Sequence, residues 1–465
     1  MRGIEQAMPT ERQLVVTIVA LMVLGLSMFT AYYVLTSTGG QASEVKLVIV
    51  TRLSPEEQKA LREAFLNSSI AKQYNIVDVE FRKLDYSQWP DLAASGKVDA
   101  FFIGEKPVYD RLCREGLLAP ISLKELLDIA AELDSRYIGR TGSGDICWIA
   151  VGQAVYGYIV NKMFLERYEL PVPETWGSLE DPVYIKPLAS ASYTVSFPRP
   201  SKSGTARTIV HGILQKYGWD DGWRLLTVIG MEAGIVDSSE TARDQAAEGV
   251  VGVAPAYIGY GVEAERVGKG AVFMIPRGEG ILYLSLAAVA KGSKHPVEAQ
   301  AFILWLLSDE GQRALARLFY YIPVRPVSGI DWVERIYNEL KDNIFDYDRD
   351  LASKMDLAVT TYFEAAIADS DSNALLKQIG SLLADLYTQG KLTKSEYMDI
   401  IAKLGSPLKI RDPWSGNEEV FTPEYAEKIN SKLANGADRD KFYNAVKEAA
   451  IERYQNILAM LREKG

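Results

Sequence analysis

The sequence predicts an α/β protein with a mostly parallel sheet, preceded by one transmembrane helix and followed by an all-α C-terminal region. Three observations lead there. From Val45 to about Ser308, short apolar runs rich in β-branched residues alternate with capped amphipathic helices, the order that builds a parallel sheet. After about Gly329 the strand-like runs stop, and helical spacing continues to the end of the 465-residue chain. Ahead of both, Leu14 to Leu35 is a run of 22 residues without a charge, long enough to cross a hydrocarbon core of ~30 Å.

That first segment, "LVVTIVALMVLGLSMFTAYYVL", is longer than the apolar core of about 7–15 residues in a cleavable signal peptide. Tyr32 and Tyr33 stand near its end, where an interfacial aromatic belt belongs. The first cysteine is Cys113, so no lipid-modified cysteine follows the segment. The reading is an uncleaved signal anchor, with cleavage after Ala42 as the alternative. Arg2 and Arg12 precede it and no Lys or Arg follows until Lys46, which leaves the N-terminus in the cytoplasm. Residues 1–13 are then cytoplasmic, 14–35 span the cell membrane once and 36–44 tether an extracellular main domain.

Composition narrows the function. A net charge of −10 argues against nucleic acid, which needs a basic face. Hydrophobic residues at 48% and charged residues at 24% are ordinary for a folded protein. Cys113 and Cys147 are too few for a disulfide framework; one bond and two buried thiols both remain open. The phosphate loop G-x-x-x-x-G-K-[ST], H-E-x-x-H, G-x-S-x-G and C-x-x-C are all absent, and no carboxylate pair stands out. Nothing asks for an enzyme or a cofactor.

In chain order, Val45–Val50 reads as a buried strand, and Ser54-Pro55-Glu56-Glu57 starts a helix with a capping box. "IVDVEFRKL" and Val98–Gly104 are further strands, with a helix from about Pro107. In such sheets ligands bind at the carboxyl ends of strands. That puts Thr51, Arg52, Gly104, Glu105 and Lys106 on candidate cleft loops. Ile146–Asn161 is one long strand-like stretch, read as a crossing between lobes. Next, Ser201-Lys202-Ser203-Gly204-Thr205 opens into a helix with apolar residues at Ala206, Ile209, Val210, Ile213, Leu214 and Tyr217. Its free N–H groups and dipole suit an anion, although Ser203 would serve equally as a plain cap. Ser238 and Ser239 repeat that arrangement after the strand Ala233–Asp237. Val250–Tyr257, Ala271–Pro276 and Tyr283–Lys291 are the later strands, followed by a helix over Val297–Ser308. His211 falls on the polar side of its helix with Arg207, Thr208 and Gln215, and His295 in an exposed turn. In the tail, Thr393-Lys394-Ser395-Glu396 is a capping box and Thr422-Pro423-Glu424 a cap. Phe442, Val446, Ala449, Ile457, Leu458 and Leu461 line one side of the last helix.

Several of these blocks, in this order, resemble the solute-binding proteins of ABC importers in the iron(III)-type group, whose members take ferric iron, thiamine, phosphonates or sugar phosphates. They are "VDAFFIGEKPVYDRLCREGLLAPI", "YGYIVNKMFLERYELPVPETWGSLEDPVYIKPLA", "PSKSGTARTIVHGILQKYGWDDGWRLL", "AEGVVGVAPAYIGY" and "PVEAQAFILWLLSDEGQ…IPVRP". The resemblance covers about Val45 to Pro326. It implies a two-lobed type II periplasmic-binding-protein fold, with residues 45–150 and 275–329 in lobe 1 and 151–274 in lobe 2. A helical region, 330–465, lies outside it and is expected to pack on or beside the lobes, so that deletion after Gly329 spares binding.

The implied partners are a small-molecule solute and ABC permease subunits. The expected ligand-binding residues are Arg52, Glu105, Lys106, Ser203, Gly204, Thr205, Ser238, Ser239 and Tyr257. Cations, hydroxyls and helix N-termini favour an oxyanionic solute: a phosphate ester, phosphonate or carboxylate. Iron-binding relatives carry adjacent tyrosines at the block that here reads Tyr257-Ile258-Gly259-Tyr260. Ferric iron held by Tyr257 is therefore the alternative, and an extracellular hydrolase on the same fold a lesser one. Tyr320-Tyr321 is an adjacent pair in another block.

Overall fold

The computed structural model describes residues 44–464. The anchor expected at Leu14–Leu35 lies outside them, as does nearly all of the tether. Among the described residues no helix is long and apolar enough to cross a membrane.

Eleven strands form one mixed sheet. They are β1 (Val45–Thr51), β2 (Ile76–Lys83), β3 (Ala100–Phe102), β4 (Leu118–Ala119), β5 (Ile138–Arg140), β6 (Ile146–Asn161), β7 (Val195–Pro198), β8 (Ala233–Val236), β9 (Val253–Tyr257), β10 (Ala271–Met274) and β11 (Ile281–Ala290). The main path runs β2-β1-β3-β11-β6-β9-β7-β8. Its two ends are parallel, β1 with β2 and β3, and β7 with β8 and β9. The middle is antiparallel, where β11 pairs with β3 and β6, and β6 with β9, so the sheet is not the mostly parallel one that the alternation of strands and helices predicts. Parallel pairing at the ends follows from the helical crossovers between those strands.

β6 carries the chain from one lobe to the other. Its 16 residues are apolar, β-branched or aromatic almost throughout, and it is buried at every position except Tyr156. Gly157 permits a close approach in its centre, because a Cβ there would stand 2.3 Å from the carbonyl oxygen of Met274.

Two large apolar cores flank the crossing. The first lobe packs Leu47, Ile49, Phe101, Phe102 and Leu286 of the sheet against Phe65, Trp89, Phe302 and Trp305. The second lobe packs Val195, Phe197, Ile209, Trp223 and Ile229, and its core continues unbroken into Phe363, Ile367, Leu376, Leu383, Tyr397, Phe442 and Leu458. The C-terminal helices thus pack on the second lobe and share its core, a closer union than the sequence suggests. Small residues let them approach: a Cβ on Gly230 would lie 2.2 Å from Ile367, and one on Gly405 2.5 Å from the Cα of Arg224. Polar ties join the same surfaces, Arg199 to Glu364 at 2.9 Å and Lys394 to Asp181 at 2.6 Å. His211 belongs here too. It is not solvated but 3% exposed, with Nε2 3.1 Å from Asp356 of the helix Arg349–Phe363.

The C-terminal region is also not purely helical. β12 (Lys409–Arg411) and β13 (Glu418–Val420) form a hairpin. Asp412 builds its turn by accepting from the N–H groups of Trp414 at 2.8 Å and Ser415 at 2.7 Å. Each strand is three residues long, too short to show alternation in the sequence.

Cys113 and Cys147 form a disulfide, with Cα atoms 5.8 Å apart, that ties the helix Lys106–Arg114 to β6. It closes a sequence separation of 34 residues, and chain-entropy arguments assign such a loop about 2–4 kcal/mol. Reduction, or replacement of both cysteines by Ser, should lower the urea midpoint accordingly. An unchanged midpoint would show that the bond contributes nothing.

Candidate functional site

A cavity of about 510 Å³ lies between the lobes where strand ends and helix starts converge. Glu57 reaches it from the first lobe, Ala154, Tyr156 and Tyr283 from the crossing strands, and Lys202 to Thr205, Ser239, Glu240, Tyr257 and Tyr260 from the second lobe. Phe319 and Tyr321 close the remaining side.

The hydroxyl wall is built by two crossovers. β7 and β8 run parallel, and each hands over to a helix at its carboxyl end, Gly204–Tyr217 and Ser239–Ala247. Ser203 caps the first by accepting from the N–H of Ala206 at 3.0 Å. Its Oγ also lies 2.5 Å from the Oγ of Ser239, so the two helix starts meet. Gly204 faces open space, since a Cβ there would meet nothing within 4 Å. Two sets of first-turn N–H groups and two dipoles therefore end on the cavity.

The phenol wall follows from strand register. Tyr156 of β6 pairs with Tyr257 of β9, and Tyr283 of β11 pairs with Ala154, two residues from Tyr156 and on the same face. Tyr257 and Tyr260 stand with ring centroids 4.5 Å apart, and the Tyr260 hydroxyl donates to Glu240 at 2.5 Å. Burial pushes the Tyr257 hydroxyl up to about 12. Burial likewise raises Tyr156, Tyr260, Tyr283 and Tyr321, with Glu240 adding to it at Tyr260. These phenols stay protonated at neutral pH and act as O–H donors. The charged groups of the wall are already engaged. Glu57 accepts from the Ser54 N–H at 2.7 Å in its capping box, and Lys202 is 2.8 Å from Asp237.

The chain from residue 87 to 346 matches the family model of the bacterial extracellular solute-binding proteins. This protein belongs to that family. Such proteins bind small solutes outside the cell for ABC importers and are not enzymes. A curated relative, the phosphoglycerate transport regulatory protein PgtC of Salmonella typhimurium, is 31% identical over 192 residues, 41% of this chain and 46% of that protein. The chain thus spans about half the length of the curated relatives it matches. Among solved structures, iron-bound HitA from Pseudomonas aeruginosa superposes with a TM-score of 0.50 at 24% identity, over 68% of this chain and 98% of that one. An extracellular solute-binding protein from Bordetella parapertussis does so with a TM-score of 0.54 at 17% identity, over 70% and 98%. Both show the two-lobed fold.

Of the residues expected to hold the solute, the solute-binding protein gathers Ser203, Gly204, Thr205, Ser239 and Tyr257 around the cavity. It does not bring Arg52, Glu105, Lys106 or Ser238 there. Arg52 turns away along the loop after β2, donating to the Leu84 carbonyl at 3.2 Å with its guanidinium 5.1 Å from the Tyr86 ring centroid. Lys106 pairs with Asp110 at 2.6 Å, one helical turn on, and lies over Trp148. Glu105 faces Arg349 at 3.8 Å. Ser238 is spent on capping, accepting from the Thr241 N–H at 3.1 Å.

Sequence reasoning missed Glu57, Tyr156, Lys202, Glu240, Tyr260, Tyr283 and Tyr321 as cavity residues. Tyr156 carried a usable signal, an aromatic residue mid-way along a strand judged to cross between lobes. Tyr321 did not. Its neighbour Tyr320 takes a left-handed backbone (φ 54°) and points to Arg266, which separates the two rings of the adjacent pair.

Proposed function

We propose that the protein is the membrane-tethered extracellular receptor of an ABC importer, and that its cavity captures a small oxyanionic solute: a phosphate ester, phosphonate or carboxylate. The observation that carries the reading is the meeting of two helix starts at Ser203 and Ser239, opposite phenols held neutral by burial. The N–H groups of the two helix starts and the neutral phenol O–H groups supply donors around the cavity, and gathered donors recognise negative oxygen. A relative named for phosphoglycerate transport, a solute with both phosphate and carboxylate, supports it. In this reading the charge-free run Leu14–Leu35 is the membrane anchor and residues 36–44 the tether, and the permease would read the closed lobes.

Thermal shifts with 3-phosphoglycerate, glycerol 3-phosphate and methylphosphonate test the class; at least one should stabilise the protein more than ferric citrate. Each hydrogen bond to a charged oxygen contributes ~1.5–3 kcal/mol, so Ser203→Ala with Thr205→Ala should weaken binding by about a hundredfold or more. Retention of full affinity in that double variant would remove the site.

Five tyrosines around the cavity, with Glu57 and Glu240, favour one second reading. Oxygen donors of this kind suit ferric iron. Against it, metal must displace protons from phenols whose burial holds them on, and both carboxylates are engaged. A visible tyrosinate-to-iron band, lost in Tyr257→Phe, would decide for iron.

A further inference from the structure

The C-terminal region does more than complete the second lobe, because it also reaches the first. The segment between the helices Asp331–Asn343 and Arg349–Phe363 passes beside the trench between the lobes, where a cavity of about 450 Å³ is lined by Glu105 on one side and by Arg207, Thr208 and His211 on the other. Arg349 stands in it. Its Nη1 is 3.8 Å from the Glu105 carboxylate, and its Nη2 donates to the Leu282 carbonyl at 3.3 Å. Its guanidinium lies 5.1 Å from the ring centroid of Tyr283, itself a wall of the solute cavity.

Among the described residues, this is the only ion pair that links residues 44–150 to residues 151–274 or to residues 330–464; Arg277–Glu174 at 2.8 Å joins residues 275–329, the rest of the first lobe, to the second. The other ion pairs of the C-terminal region, such as Arg335–Glu265, Lys394–Asp181, Arg199–Glu364 and Arg207–Asp356, stay within the region or go to the second lobe. The C-terminal helices also share that lobe's core, so the two form one body. We propose that Arg349 is a positioning residue of the solute cleft: through Glu105 it ties that body to the first lobe and holds the cavity walls at their working separation. The tie rests on the two-lobed fold and not on which solute the cavity takes. It gives the C-terminal region a part in opening and closing the receptor.

The separation can be read without any ligand. Lys59 and Asp244 are both exposed, on the helices whose first turns supply Glu57 and Ser239 to the cavity. The chain's two cysteines are bonded to each other, so Lys59→Cys and Asp244→Cys provide the reactive thiols for a spin-label pair in the full-length chain. Arg349→Gln and Glu105→Gln should each move the distance distribution to longer separations, changing the ratio of close to wide forms by up to about fivefold, the span of a half-exposed pair. The exchange Glu105→Arg with Arg349→Glu should recover at least half of that change, which a merely structural Arg349 would not. An unchanged or shorter distribution in either single variant, or no recovery in the exchange, overturns the proposal.

Discussion

A chain ending at Gly329 should yield no folded solute-binding protein. The sequence alone suggests otherwise, because family resemblance ends near Pro326 and the tail reads as self-contained helices. In the structure the second lobe has no completed core without it. Trp223 of the lobe contacts Tyr362 with ring centroids 4.4 Å apart and Phe421 at 5.8 Å, and Phe197 stacks on Phe363 at 5.6 Å. Burying a large apolar side chain contributes ~1.5–3 kcal/mol, and a domain's whole stability is only about 5–15 kcal/mol. Uncovering Phe197, Trp223, Ile229 and Met231 together therefore removes about 6–12 kcal/mol, comparable to that whole stability. Expression of residues 44–329 should give aggregate, or a soluble species without near-ultraviolet dichroism or a cooperative transition. A cooperative melt in that fragment would show that the shared core is dispensable.

The second expectation concerns Glu232, at the end of the helix Trp219–Glu232 and 0% exposed. Neither of its carboxyl oxygens has a hydrogen-bond partner among the described residues, and burial raises it well above the usual carboxylate range. Folded, it keeps its proton; unfolded, it ionises above about pH 4.3. The folded state thus binds more protons from there upward, and stability falls as pH rises. Lys377, in the C-terminal helix Ser370–Thr388, works the other way. Its Nζ donates to the carbonyls of Gly230 at 3.3 Å and Met231 at 3.2 Å, and to that of Ala233. Burial lowers it to about 7, with Glu232 opposing the change. The unfolded chain keeps that lysine charged to about pH 10.4, so Lys377 makes stability rise with pH only above about 7. Of these two groups, only Glu232 contributes a slope between pH 4.5 and 7.

Glu232→Gln removes the titration and keeps the shape. The variant should match wild type near pH 4.5 and exceed it increasingly towards pH 7, by ~1.4 kcal/mol for each unit of pKa rise. Urea midpoints at pH 4.5, 5.5 and 7 measure this. A variant less stable than wild type at pH 7 would mean that Glu232 is ionised in the fold.

Much of the site was legible for a local reason. Ser203-Gly204-Thr205 and Ser239 sit at strand-to-helix turns, and such turns are written in contiguous residues: a hydroxyl cap, a glycine, then helical spacing. The capping box at Ser54 and Glu57 was read from four neighbours and stands as read. What failed was direction. Arg52 and Lys106 follow the carboxyl ends of β1 and β3, but that position in the chain does not tell where a long side chain points. Nearby partners, Leu84 with Tyr86 and Asp110 with Trp148, drew them away.

By itself, the sequence determined the alternation of strands and helices, the caps, the crossing strand and the family, because periodicity and local hydrogen bonding are properties of adjacent residues. Only the tertiary structure decided the rest. Register set Tyr156 beside Tyr257 and brought Tyr283 onto the same wall. Packing merged the tail with the second lobe, turned His211 inward onto Asp356 and closed Cys113 onto Cys147. Each of those contacts joins residues far apart in the chain. Apolar burial favours all such pairings alike, because it has no direction, so the partner is chosen only when every element competes for the same space.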